Sequence, residues 1–121
     1  MMVLSNTEID ELEKEMGLYF PLLYRKLLSE TGYGEFEDIE IYHPMLIRER
    51  YAGHFDHDAD LFGTYFPFGC NNRKQEIWLI RQQDSLVASI WHETHSDDYD
   101  GDEWLDGGQW LVRHEGQLSA G

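Results

Sequence analysis

The chain has 121 residues, 24 acidic against 9 basic, a net charge of −15 and one cysteine, Cys70. A chain of this length buries roughly two-thirds of the surface its unfolded form exposes, so one folded domain over residues 1–121 is expected, and a hydrophobic fraction of 41% with a mean hydropathy of −0.56 fits a charged surface around a normal interior, not disorder. Such acidity repels nucleic acid and anionic lipid, a lone cysteine excludes an intramolecular disulfide, and no apolar run has the length of a signal or membrane-spanning segment; a cytoplasmic location with no nucleic-acid or membrane partner is expected.

Ser5 with Glu8, or Thr7 with Asp10, offers a capping box, and Ile9, Leu12 and Met16 share one helical face while Glu8, Asp10, Glu11, Glu13, Lys14 and Glu15 take the other. A short amphipathic helix ending at Gly17 is expected. Pro21 suits the first turn of a second helix, whose Leu23, Tyr24, Leu27 and Leu28 line a core before Thr31-Gly32-Tyr33-Gly34 breaks it. Ile39 and Ile41 alternate with Asp38, Glu40 and Tyr42 as a short strand that Pro44 terminates. Leu46 to Tyr51 reads as a helical turn or two, and His54 to Asp60 as loop. Ile77-Trp78-Leu79-Ile80 and Leu86 to Trp91, on either side of Gln82-Gln83-Asp84-Ser85, form the strongest hairpin signal, with Trp78 and Trp91 as core or cross-strand partners. Trp110 to His114 reads as a closing helix that Gly116 ends. No internal repeat or low-complexity linker occurs.

The charge is unevenly spread: residues 1–40 and 93–121 carry −7 each and residues 41–92 only −1. His92 to Asp106 packs seven carboxylates and two imidazoles into fifteen residues. Like charges this close are solvated, hold a cation or meet a basic partner, and acidity also serves plain solubility. His54 and His57, and His92 and His95, are each three apart and lie beside acids, yet no HExxH pattern occurs. Asp98, Asp100 and Asp102 alternate as in a calcium loop, but Glu103 and Gln109 stand where its glycine and bidentate glutamate belong. No metal or cofactor is expected. Cys70 reads as a small core residue, and no serine sits in a nucleophile elbow, so no enzyme activity is expected.

A basic protein partner remains, drawn by charge from beyond contact range. The candidate contact residues are Glu93, Asp97, Asp98, Asp100, Asp102, Glu103 and Asp106, with Asp56, Asp58 and Asp60 as a second acidic loop. Tyr99 and Trp104 complete the set as interface anchors. A buried core is not expected in so acidic a stretch, and a desolvated ring rimmed by charges is the anatomy of an interaction hot spot. In the alternative, Trp104 and Leu105 tether the loop to the body.

Ile9-Asp10-Glu11-Leu12-Glu13, Phe20 to Leu28 and Gly32-Tyr33-Gly34, followed by Phe66-Pro67-Phe68-Gly69-Cys70-Asn71, Ile77-Trp78-Leu79-Ile80, Ile90-Trp91-His92-Glu93 and Trp110 to Leu118, resemble the SMI1/KNR4 (SUKH) superfamily over nearly the whole chain. The resemblance implies an α+β domain, a mixed or antiparallel sheet with helices packed against it. In bacterial members it implies an immunity protein that binds and blocks a toxin domain of a polymorphic or contact-dependent system, here as a monomer or weak dimer. A nuclease toxin has a basic cleft made for phosphate, which carboxylates can occupy. Two departures stand out: the turn from Asn71 to Glu76 has no glycine, and Gly107-Gly108 replaces a Ser-Phe-led helix start. The alternatives are an intracellular scaffold or regulator of the same fold and, more remotely, a metal-dependent enzyme.

Overall fold

A computed structural model describes residues 2–47, 49, 64–94 and 96–118, with the backbone alone for residues 36, 96, 97 and 115–118. Helix α1 spans Asn6–Met16. The Glu8 N–H donates to the Ser5 hydroxyl (3.1 Å) and the Ser5 N–H to the Glu8 carboxylate (3.2 Å), so the capping box closes as the spacing requires. Gly17 ends the helix in the left-handed region, φ 67°, where a glycine pays no steric cost. Helix α2 (Leu22–Lys26) starts behind Pro21 and widens into a π-helical segment over Leu27–Thr31.

Five strands follow: β1 (Gly34–Phe36), β2 (Ile39–Ile41), β3 (Tyr65–Asn71), β4 (Glu76–Arg81) and β5 (Val87–Trp91). They form one antiparallel sheet in sequence order, and the chain ends in helix α3 (Gly107–Leu118). The fold is α+β, as expected. Among the described residues no helix is long and apolar enough to cross a membrane.

Sequence reading did not anticipate β1 or β3. β1 has three residues, among them Gly34 and Glu35, and among the described residues pairs with β2 alone. β3 contains Pro67, which argues against a strand interior; here β2 is in register with Gly69 to Asn71, so among the described residues Pro67 is paired with β4 alone, and a bulge lies between Pro67 and Gly69. Trp78 and Trp91 are not cross-strand partners: Trp78 faces Ser89, while Trp91 faces Glu76 and is 51% exposed. In the turn without glycine, Gln75 takes the left-handed conformation, φ 56°. Residues 44–47 are helical, and His54 to Asp60 lies outside the described residues.

The bulge puts Phe68 and Gly69 against Trp78. Trp78 is fully buried, 6.0 Å from Phe68 and edge-on to Trp110 at 4.9 Å. Its indole N–H has no hydrogen-bond partner among the described residues, so the ring is retained for the volume it fills. A Cβ at Gly69 would stand 2.6 Å from the Glu40 carbonyl oxygen and 3.1 Å from the Trp78 ring. This inner core runs on through Phe66, Tyr24 and Phe20 under α2 to Ile9 and Met16 of α1.

α3 is longer than expected because its start signal is Asp106. The Asp106 carboxylate accepts from the Gln109 N–H (2.8 Å) and its carbonyl from the Trp110 N–H (3.0 Å), which caps the helix ahead of Gly107. Gly116 lies inside the helix. On its inner side Trp110 donates to the Ser89 hydroxyl (3.3 Å), and His114 stacks on Trp110 at 4.2 Å with Nδ1 3.0 Å from the Trp110 carbonyl.

Two predictions follow from this packing. Gly69→Ala is expected to destabilise by about 2 kcal/mol, the usual cost of overpacking, as a lower urea midpoint at unchanged slope. Burial holds the His114 pKa below its ordinary 6.5, against a smaller upward pull from the Trp110 carbonyl and Glu76. As pH falls below 6.5 the unfolded chain therefore takes up a proton that the native imidazole refuses, and stability drops until the native pKa is reached. The fall in Tm between pH 7 and pH 5 is expected to be shallower in His114→Gln; His43, also lowered by burial, supplies a remainder of the same sign.

Candidate partner-binding surface

Alternation along β3, β4 and β5 leaves their outer face apolar as well. Tyr65, Ile77, Leu79, Ala88 and Ile90 are buried there. The cover is the acidic segment that follows β5, through a 3-10 turn over Ser96–Gly101 and an extended stretch to Leu105. Leu105 bridges to Val87 by two reciprocal bonds, Val87 N–H to the Leu105 carbonyl (2.7 Å) and Leu105 N–H to the Val87 carbonyl (2.9 Å).

The segment is fastened from beneath by its own aromatics. Tyr99 is 2% exposed and meets Tyr65 edge-on at 5.2 Å; Trp104, half-buried, stacks on the same Tyr65 ring at 5.6 Å. The Trp104 indole N–H donates to the Tyr99 carbonyl (2.8 Å), which closes the turn on itself. Arg81, at the end of β4, lies 4.5 Å over the Trp104 ring, binds Asp84 through Nε and Nη2 (2.8–3.1 Å), and reaches Asp100 at 3.5 Å. One guanidinium thus ties the β4–β5 turn to the acidic segment by charge and by stacking.

This corrects the expectation that no buried core lies beneath so acidic a stretch. Tyr99 and Trp104 are the hooks of the cover, because the outer sheet face supplies an apolar floor. Burial pushes the Tyr99 pKa up to about 12, with the neighbouring Tyr65 and Asp102 adding to it. Asp102, half-buried, is raised by burial too.

The carboxylates divide differently. Glu93, Asp98, Asp100, Glu103 and Asp106 are exposed. Within the chain Asp100 meets Arg81, Glu103 meets Arg113 at 3.2 Å, and Glu93 lies 3.8 Å from His92; the last two pairs, exposed on both sides, contribute little stability, and in the first only the Asp100 side is open to solvent. The Asp97 side chain, His95, and Asp56, Asp58 and Asp60 lie outside what is described. Among the described residues no group of three His, Cys, Asp or Glu side chains is placed to hold a metal ion. Sequence reading missed Arg81 and Tyr65, which hold the segment down. The Arg81-to-Asp84 spacing was visible, but nothing in the sequence marked a second apolar face.

A family model described as SMI1-KNR4 cell-wall matches residues 6–100. No curated protein and no solved structure matches the chain. The matched region holds α1, α2, the whole sheet and most of the 3-10 turn, and the chain belongs to this family.

Removing the central hook tests the architecture. Trp104→Ala is expected to cost about 2–3 kcal/mol, below the range for a fully buried tryptophan, measured by urea unfolding. Unchanged stability would mean that the segment is held without its aromatic floor.

Proposed function

We propose that this SMI1-KNR4 family member is a non-enzymatic cytoplasmic inhibitor of the immunity type, which binds the basic surface of a toxin domain through the outward carboxylates of the segment after β5. The observation that carries this reading is a division of labour within fifteen residues. Tyr99 and Trp104 are turned down onto the outer sheet face, Leu105 is bridged to Val87 and packs against the inner core, and Glu93, Asp98, Asp100, Glu103 and Asp106 are exposed. Carboxylates held on a folded cover lose less freedom on binding than the same groups on a loose loop. They also steer a cationic surface from a distance.

The contact set comprises Glu93, Asp97, Asp98, Asp100, Asp102, Glu103 and Asp106, joined on sequence grounds by Asp56, Asp58 and Asp60. A toxin whose cleft binds phosphate fits these groups, since aligned carboxylates offer the same anionic oxygens to the same lysines and arginines. Glu103 exchanges Arg113 for the partner's bases at small cost because both of these groups are exposed, and the exposed Asp100 turns to them while Arg81 keeps Asp84 and the Trp104 ring.

Calorimetric titration against the domain encoded beside this gene tests the reading. Tight one-to-one binding that weakens with salt is expected, and a combined Asp98→Lys, Asp100→Lys and Glu103→Lys variant should bind about 100-fold or more weaker at low salt, given the size of close interfacial charge couplings. Affinity indifferent to that reversal would sink the proposed surface.

A further inference from the structure

An aromatic anchor rimmed by carboxylates does exist in this molecule, at the other end of the chain. Tyr19, in the connection between α1 and α2, is 91% exposed, and Leu22, three residues on at the start of α2, is 84% exposed. Exposed apolar residues scattered singly need no explanation. This pair differs because the backbone on both sides of Tyr19 is fixed. The Leu18 N–H donates to the Glu13 carbonyl (3.2 Å) and the Phe20 N–H to the Glu13 carboxylate (2.7 Å). Phe20 itself is buried against Tyr24 and Phe66. Glu13 also binds Arg25, which reaches Asp10 at 2.7 Å, so α1 and α2 are clamped together across the connection. Phe20 is driven into the core and Tyr19 is held out of it.

A groove of about 490 Å³ runs beside the ring, lined by Asp10, Glu13, Lys14, Gly17, Leu18 and Tyr19. Glu8, Asp10, Glu11 and Glu15 are exposed on the same helix. In the groove itself Asp10 and Glu13 are held by Arg25 and stand beside Lys14, so the negative surplus of this end comes from Glu8, Glu11 and Glu15, exposed along α1. A second copy of this chain would bring −15 against −15 and set α1 acids beside α1 acids. The occupant that fits is cationic.

We propose that Tyr19 and Leu22, next to the acidic helix α1, form a second docking surface for a basic protein, seated on Tyr19 and Leu22 as apolar anchors with its lysine and arginine side chains toward the exposed carboxylates of α1. This rests on the reading that the partner is a basic protein and adds where its apolar contact is made. The arrangement has the order of a hot spot: a rigid aromatic presented at low entropy cost, an aliphatic neighbour, and charges at the edge that select the partner.

Panning a random twelve-residue peptide display library against the immobilised full-length protein tests this without knowledge of the natural partner. Peptides combining arginine or lysine with apolar residues should be enriched, and synthetic copies should bind about 30-fold or more weaker to the Tyr19→Ala, Leu22→Ala variant, the loss that marks a hot spot. Tyr19→Phe should retain binding, and all variants should keep the wild-type Tm. No enrichment, or enriched peptides that bind the double variant within about threefold of wild type, would overturn the proposal, again by the hot-spot threshold. Self-association in sedimentation that the double variant abolishes would overturn it too, by assigning the pair to a second copy. Failure here leaves the toxin titration unaffected, and failure of that titration leaves the peptide result standing, so the two can be told apart.

Discussion

β4 and β5 are apolar on both faces, and a hairpin of that kind cannot lie open to water on either side. Trp78, Ile80 and Val87 point one way; Ile77, Leu79, Ala88 and Ile90 point the other. Each large side chain buried contributes about 1.5–3 kcal/mol, so the chain must supply two covers. The inner cover is built from α1, α2 with its π-helical continuation, and α3, whose Tyr24, Leu28 and Trp110 close over β3 and β4. The outer cover is the segment from Ser96 to Trp104, which is why a stretch so rich in acids also carries a tyrosine and a tryptophan, while the Leu105 that follows packs against the inner core. Apolar floor below and carboxylates above are two consequences of one constraint.

That constraint also explains what the sequence made legible. The capping box at Ser5 and Glu8, the stop at Gly17, the core face of α2 and the β4–β5 hairpin all depend on local patterns, and each forms where its residues predict. β3 was hidden because Pro67 reads as a strand breaker, and only a partner register beginning at Gly69 makes it tolerable. The start of α3 was hidden because Asp106 looked like one more acid in a run, when its side chain caps the helix. The burial of Tyr99 and Trp104 was hidden for a related reason: local composition argued for solvent, and the floor beneath them comes from strands as far back as Tyr65. Tyr19 is the mirror case, a ring that local sequence cannot distinguish from Phe20 until the Glu13 carboxylate fixes which of the two turns inward.

The basic residues show how the surplus of negative charge is managed. Arg25 is spent on Asp10 and Glu13, Arg81 on Asp84 and Asp100, and Arg113 on Glu103. Arg25 joins α1 to α2, and Arg81 joins β4 to the outer cover, so both act as internal ties. The acids left over dominate the field outside the molecule, at both the α1 end and the outer-cover end. A cationic protein approaching either end meets a surface already held in shape. This unites the family membership, the acidity and the two proposed contact areas in one physical picture.

The central claim is that the acidic segment is folded before any partner arrives. Amide hydrogen exchange on the free protein, followed residue by residue, tests it most directly. The account predicts that the Leu105 and Val87 amides and the Trp104 indole N–H, whose acceptors are the Val87, Leu105 and Tyr99 carbonyls, exchange slowly alongside the amides of β4. Exchange of the Leu105 and Trp104 protons at the rate of an unstructured peptide, with β4 still protected, would contradict it: the segment would then fold only on its partner, and its carboxylates would form no surface in the free protein.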